Sequence, residues 1–332
     1  MLARPALKAV YTVAGRRILI EAHDDWSAKA VADLFSGWFL NPLAVNGAAS
    51  PNVTVEIRCG IPSPQIPDGL FEFDIPQDGI CYTDGRTLYL DFNGSRVVIG
   101  PGLARDVQIW VKEQYDFGSK VFAQIISQGF SAALRRCGLF EFHSAGLVPP
   151  GHDKAVLIAG GSGSGKSTLT LQLAACGWGF LSDDTLLLEK CDRGIEVHAL
   201  RKFFALTADT ITAMRMPQLE PALAVGALKE RVTPLDLFPQ GQIQRSKPGA
   251  MFFPTISYEA ESRVQKLTAA ETMGRLLRLC PWAAYDKPTA SEHLSVLGAL
   301  VRNSAAFDLF AGTDLLEDQT LAARLCLRES QA

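Results

Sequence analysis

The sequence has few of the residues that usually build a metal or redox centre. Its five histidines and seven cysteines are scattered, with no CxxC, no HExxH and no close pair. That spacing excludes zinc-ribbon and dithiol chemistry, and the odd number of thiols argues against a disulfide framework. A reducing, cytoplasmic setting is therefore expected. Charge of one sign is also lacking. Thirty-two basic and 35 acidic residues leave a net charge of -3 and a pI of about 6.0. This gives no electrostatic basis for a nucleic-acid or membrane-surface partner. No apolar run approaches the ~18 residues of a membrane helix. The N-terminal apolar stretches are broken by Arg4, Lys8, Arg16 and Arg17, so no signal-peptide core is expected.

What is present is enough apolar residue for real cores. The chain has 332 residues, 48% of them hydrophobic and 20% charged, about twice the ~150-residue prior for one domain. The first hundred residues read as short strands with one helix. Apolar runs at 10–13 and 17–21 flank Ala14-Gly15, and residues 26–39 carry apolar side chains at helical spacing. Residues 53–58 read as a strand, and hairpin signals follow at Thr83-Asp84-Gly85-Arg86 and Asn93-Gly94. Residues 117–137 read as a helix stopped by Gly138. Short strands are expected at 139–143, 145–148 and 155–159. The predicted organisation is an α+β N-terminal lobe over residues 1–130, serving as scaffold or docking module, followed by an α/β domain over 131–332.

The strongest signal is Gly160-Gly161-Ser162-Gly163-Ser164-Gly165-Lys166-Ser167, a full match to G-x-x-x-x-G-K-[ST] between an apolar run and a helical pattern. Glycines let backbone N–H groups turn inward as an anion nest, and the helix start adds positive potential. In such a loop Lys166 reaches the β- and γ-phosphates of ATP and the Ser167 hydroxyl ligates Mg²⁺, with Thr168 next in the helix. The following short strand, 178–182, ends in Asp183-Asp184. Carboxylates at such a strand end point into the ligand crevice of an open α/β sheet. One can hold Mg²⁺ and the other can accept a proton from an attacking hydroxyl. No N/T-K-x-D guanine motif is present, since Glu189-Lys190-Cys191-Asp192 lacks the first residue, and there is no LSGGQ-like transporter signature.

The stretch from the 155–159 strand through Asp183-Asp184 resembles the catalytic core of HPr kinase/phosphorylase, whose nucleotide-binding fold is similar to that of phosphoenolpyruvate carboxykinase. His143 stands where that family has a histidine that pairs with the first aspartate, and Lys247-Pro248-Gly249 is similar to its basic-Pro-Gly element. Thr168 stands where the family usually has Glu, and no Arg-Gly-rich signature follows over 185–209, so the closer likeness is to divergent HPr-kinase-like serine kinases. The resemblance implies a kinase core using ATP and Mg²⁺. Asp183 would be the base assisted by His143, with Ser167 and Asp184 at the metal. The acceptor would be a serine of a peptide or protein, or a small-molecule alcohol, and relatives of this kind form homo-oligomers. Two alternatives stay open: a nucleotide-regulated binding module, or an ATPase without kinase activity. Arg201 and Lys202 read as a solvated pair or a phosphate contact. Arg245 and Lys247, after the 239–244 loop, read as loop cations that either stay solvated or fold over substrate.

Overall fold

A computed structural model describes residues 5–331 apart from 39, 44–49, 76–78, 101–105, 114–119, 193, 215–229, 233–240 and 258. The chain forms two compact units. Met1–Phe140 joins with Trp282–His293, and Glu141–Pro281 joins with Leu294–Ala332. The sequence reading divides the chain at 130, whereas here the division falls at Phe140 and a late segment belongs to the first unit.

The first unit is a helix-backed sheet. Its elements are β1 (Leu7–Val13), β2 (Arg16–Ala22), α1 (Asp25–Phe35), β3 (Asn41–Leu43), β4 (Val53–Cys59), β5 (Phe71–Ile75), β6 (Gly79–Thr83), β7 (Leu88–Phe92), β8 (Ser95–Ile99), β9 (Asp106–Val111) and α2 (Lys120–Arg136). The nine strands run in the order β3-β1-β2-β4-β9-β8-β7-β6-β5. Ala14-Gly15 and Asn93-Gly94 turn the hairpins β1–β2 and β7–β8 with φ of 45° and 75°, and 53° and 91°. These left-handed pairs match the twist of antiparallel strands. Every second residue of β8 is buried, as a sheet with one covered face requires. The covering helices meet through Phe35 and Phe130, 4.9 Å apart, with Trp38 5.2 Å from Phe130. A Cβ at Gly129 would collide with Ile109, so the mid-helix glycine lets α2 lie close on β9.

Residues 282–293 complete this unit's charge balance. They comprise α6 (Trp282–Tyr285) and the first turns of α7 (Lys287–Asn303); α5 (Ala269–Leu279) belongs to the second unit. Asp286 sits 2.8 Å from Arg135 and 2.7 Å from Arg136, with all three side chains buried. Burial pushes the Asp286 carboxyl up, but the two guanidiniums outweigh it and hold it below its ordinary range.

The second unit carries β10 (Leu139–Phe142), β11 (Ser144–Val148), β12 (Lys154–Ala159), α3 (Lys166–Ala175), β13 (Gly179–Ser182), β14 (Leu186–Cys191), β15 (Gly194–Ala199), β16 (Phe204–Leu206), α4 (Ala208–Ala213) and β17 (Glu230–Val232). It continues with β18 (Arg245–Ile256), β19 (Arg263–Lys266), α5 (Ala269–Leu279), β20 (Ala305–Ala311), α8 (Asp314–Glu317) and α9 (Leu321–Gln331). The sheet order is β10-β14-β15-β18-β12-β11-β13, with β20 also on β18 and β19 on β20. The pairs β12–β18 and β18–β20 are parallel. The sequence reading joins β12 and β13 through α3 as a β-α-β unit. They share a sheet and run parallel, but β11 lies between them, antiparallel to both. All five β11 residues are buried, which fits an interior position. Leu169 and Leu173 of α3 pack in one core with Val156, Ile158, Phe252 and Phe307, and with Ala322 and Cys326 of α9. Among the described residues no helix is long and apolar enough to cross a membrane, which says nothing of β-barrels.

His293 gives the first unit a measurable acid sensitivity. It is buried against Phe140, 4.5 Å between ring centroids, and neither ring nitrogen has a hydrogen-bond partner among the described residues. Burial pushes its pKa down to about 4 from 6.5, Arg135 adding to the effect. Above pH 6.5 the imidazole is neutral folded or unfolded and contributes no slope. As pH falls from 6.5 to 4, only the unfolded chain takes up the proton, so stability declines. At about 1.4 kcal/mol per pH unit the loss totals roughly 3 kcal/mol. His293→Phe should flatten the decline in denaturant midpoint between pH 6.5 and 4. An unchanged slope would exclude His293 as its source.

Candidate functional site

The site forms where β12 runs into α3. The intervening glycine loop is shaped by left-handed residues, Gly163 at φ 80° and Gly165 at φ 94°. A side chain would be strained at both positions. Gly165 is also the N-cap of α3, and it brings no side chain to accept from the first helical N–H groups. Those donors, with the helix dipole behind them, form a cradle for an anion. Ideal Cβ atoms at Gly161 and Gly163 would meet nothing within 4 Å, so the cradle opens outward. The remaining predicted loop residues, Gly160, Ser162 and Ser164, belong to this same turn, and Thr168 lies in the first turn of α3.

Lys166 is the first residue of α3 and only 7% exposed. Its Nζ donates to the Gly160 carbonyl at 2.7 Å and the Gly161 carbonyl at 2.9 Å. The ammonium is thus held over the loop rather than in solvent. Ser167 donates its hydroxyl to an Asp183 oxygen at 3.4 Å, and Asp183 is 2% exposed. The end of β13 therefore delivers its first aspartate to the start of α3, although β11 separates the two strands.

Asp184 has different company. One of its oxygens lies 3.1 Å from His143 Nδ1 and the other accepts from Arg201 and from the Thr185 hydroxyl. The resemblance assigns His143 to the first aspartate; its Nδ1 also lies 3.1 Å from the second. The reason is local. His143 occupies the single residue between β10 and β11, while Asp184 precedes β14, which pairs with β10.

Arg201 arrives by hairpin register. In β14–β15, Leu186 pairs with Ala199 and Glu189 with Glu196. Continuing the same ladder two residues outward brings position 184 opposite position 201. The sequence reading leaves Arg201 among solvated residues because the hairpin is not evident from periodicity; Leu186, Leu187 and Leu188 are all buried and do not alternate. Lys202 follows Arg201, and Arg245 and Lys247 lie on β18. No described contact brings Arg245 or Lys247 to the aspartates. The 239–244 loop lies partly outside the described residues.

Burial raises the Asp184 pKa, but Arg201 first, then His143 and Lys166, with the Thr185 hydrogen bond, more than offset it and hold the carboxyl below its ordinary range. The oxygens of Ser167, Asp183 and Asp184 are the hard donors that suit Mg²⁺. The anion cradle beside Lys166 suits a polyphosphate. The arrangement can therefore hold a metal-bound polyphosphate next to an acid–base pair.

No protein-family model matches this sequence, and no curated protein matches it. Among solved structures it is similar to the Hpr(Ser) kinase/phosphatase from Coxiella burnetii, with a TM-score of 0.31 and 13% identity, over 57% of this chain and 97% of that one. A superposition of that quality assigns neither fold nor activity, and the site's chemistry rests on its own geometry.

Arg201→Gln should move the Asp184 carboxyl pKa upward in a carbon-detected NMR titration. A depressed carboxyl contributes stability above its unfolded value of 3.8 and loses it as pH falls through the folded value. The variant should therefore be less stable than wild type at neutral pH, with the difference closing in strong acid. An unmoved titration would show that His143 and Lys166 hold Asp184 without Arg201.

Proposed function

We propose that this chain is an ATP- and Mg²⁺-dependent kinase that phosphorylates a hydroxyl, a serine in a peptide or protein. The observation that carries the proposal is a glycine loop whose carbonyls hold the Lys166 ammonium, with the next residue, Ser167, donating its hydroxyl to Asp183. A phosphate loop that only binds nucleotide has no need of a second carboxylate joined to a histidine. The resemblance read from the sequence supplies the expectation of a serine acceptor, and the scattered cysteines supply that of the cytoplasm as the setting.

The division of labour follows the contacts. The backbone N–H groups of 160–165 and Lys166 bind and orient the phosphates. Ser167 and Asp183 are the residues that would hold Mg²⁺, which, when bound, neutralises charge building up on the transferring phosphoryl. Proton acceptance falls to His143 and Asp184 together. With Nδ1 turned to Asp184, the imidazole is the group that takes the hydroxyl proton. The His143 side chain is 40% exposed, so an acceptor can reach it. Asp184, fixed by Arg201, orients the ring and stabilises the imidazolium. This differs from the sequence expectation, in which Asp183 is the base and Asp184 the metal residue. The remaining work is positioning.

Thermal shift and phosphoproteomics test this together. Lys166→Ala should lose the stabilisation that Mg-ATP confers on wild type, about 2.7 kcal/mol for a ligand at 100 times its Kd. His143→Asn should keep that stabilisation and lose transfer by 10²–10⁴-fold, about 2.7–5.5 kcal/mol of barrier. Asp183→Asn should weaken Mg-ATP binding itself. Cells carrying wild type should contain a phosphoserine peptide that cells carrying His143→Asn lack. Equal ATP stabilisation of wild type and Lys166→Ala would overturn the nucleotide site. ATP binding with no phosphorylated product in either the proteome or the metabolite pool would leave the nucleotide-regulated binding module as the better reading. A phosphorylated metabolite would point to a small-molecule alcohol instead of serine.

A further inference from the structure

The β14–β15 hairpin carries a second group of ligating atoms that the kinase chemistry does not use. Glu189 and Glu196 are direct partners across the ladder, and His198 is two residues along on the same face. Like charges placed directly opposite on a hairpin destabilise it, so this pair calls for a cation. His198 Nε2 lies 2.9 Å from a Glu189 oxygen and 3.9 Å from a Glu196 oxygen. One ligand atom from each of the three residues falls within 4.8 Å of the other two.

We propose that Glu189, Glu196 and His198 form a site for a divalent first-row transition ion of the zinc type, separate from the nucleotide site. Donor atoms about 2.1 Å from a tetrahedral ion lie about 3.4 Å from one another, and the two measured separations bracket that value. An imidazole nitrogen with two carboxylate oxygens is a zinc-like donor set, whereas Mg²⁺ prefers oxygen alone. His198 is 7% exposed, and both carboxylates are more than two-thirds covered, so little rotamer freedom is left to lose on binding. Burial, outweighing Glu189 and Glu196, holds the imidazole below its ordinary pKa. Another charged neighbour among the described residues is Arg245, which pairs with His198 across β15–β18 and stands 3.9 Å from Glu196. Its side chain is 72% exposed and can turn to solvent when an ion arrives. A bound ion would brace the hairpin whose open end holds Asp184 and Arg201. With three protein ligands, the fourth position is left for water or a partner's side chain.

The probe is Zn²⁺ itself, added to the full chain in excess Mg²⁺ and followed by dialysis and metal analysis. Wild type should retain one zinc per chain more than Glu196→Gln, and zinc should raise the Tm of wild type alone. Glu196→Gln keeps shape and every thiol, so zinc held by cysteine would persist in it. His198→Gln, checked for folding by circular dichroism, should give the same loss, whereas Cys191→Ser should not. Equal retention by wild type and Glu196→Gln overturns the site, as does no retention by wild type or a loss confined to Cys191→Ser. Lys166→Ala should keep its zinc while losing ATP, so the two sites fail or stand separately.

Discussion

A lysine taken almost wholly out of water must be met by oxygen, and the second unit is organised around doing so. Lys166 opens α3 at the edge of the core, where an ammonium without partners would be expelled or deprotonated. Two carbonyls of its own loop receive it, and the strand ends of the same sheet bring carboxylates into its field. Those carboxylates would in turn be costly beside one another without the cations around them. Asp184 answers to Arg201 and His143, and Asp183 to the Ser167 hydroxyl. Each charge is tolerable because of the next, so the group assembles as one or not at all. Such mutual dependence keeps a polar cluster rigid enough to position reacting atoms.

The scaffolding for that cluster comes from strand order. Long β18 pairs with β12, β15 and β20, tying the glycine loop's strand to the hairpin that presents Asp184 and Arg201. The register of one hairpin thus sets the distance between a carboxylate and a guanidinium far apart in sequence. A one-residue slip of either strand would leave the two side chains on opposite faces. The geometry of this cluster is a property of ladder pairing as much as of the residues themselves.

Much of this was legible in the residues. The glycine loop, its strand and its helix read directly, because glycines with positive φ, an apolar run and a helical pattern are local features. Helix α2 and the turns at Ala14-Gly15 and Asn93-Gly94 read for the same reason. The β14–β15 hairpin did not, since Leu186, Leu187 and Leu188 are buried without alternation and carry no strand period. With the hairpin unread, Arg201 had no visible partner and Glu189, Glu196 and His198 had no common face. Nor did spacing alone bring His143 to Asp184. That depends on β14 lying beside β10, a pairing between segments on either side of the glycine loop. The insertion of β11 between β12 and β13 is likewise tertiary.

The late segment in the first unit has a consequence for synthesis. Arg135 lies 151 positions before Asp286, and both it and Arg136 are buried against that one carboxylate. At about 5–20 residues per second, a ribosome would need roughly 8–30 s to make the intervening chain. Throughout that interval the N-terminal sheet and α2 exist without their counter-charge, and the two arginines must stay hydrated or be shielded by a chaperone. The unit that begins first is therefore completed only late in synthesis, and a nascent chain cut short before Asp286 should reach the cell as a target for proteolysis rather than as a folded lobe.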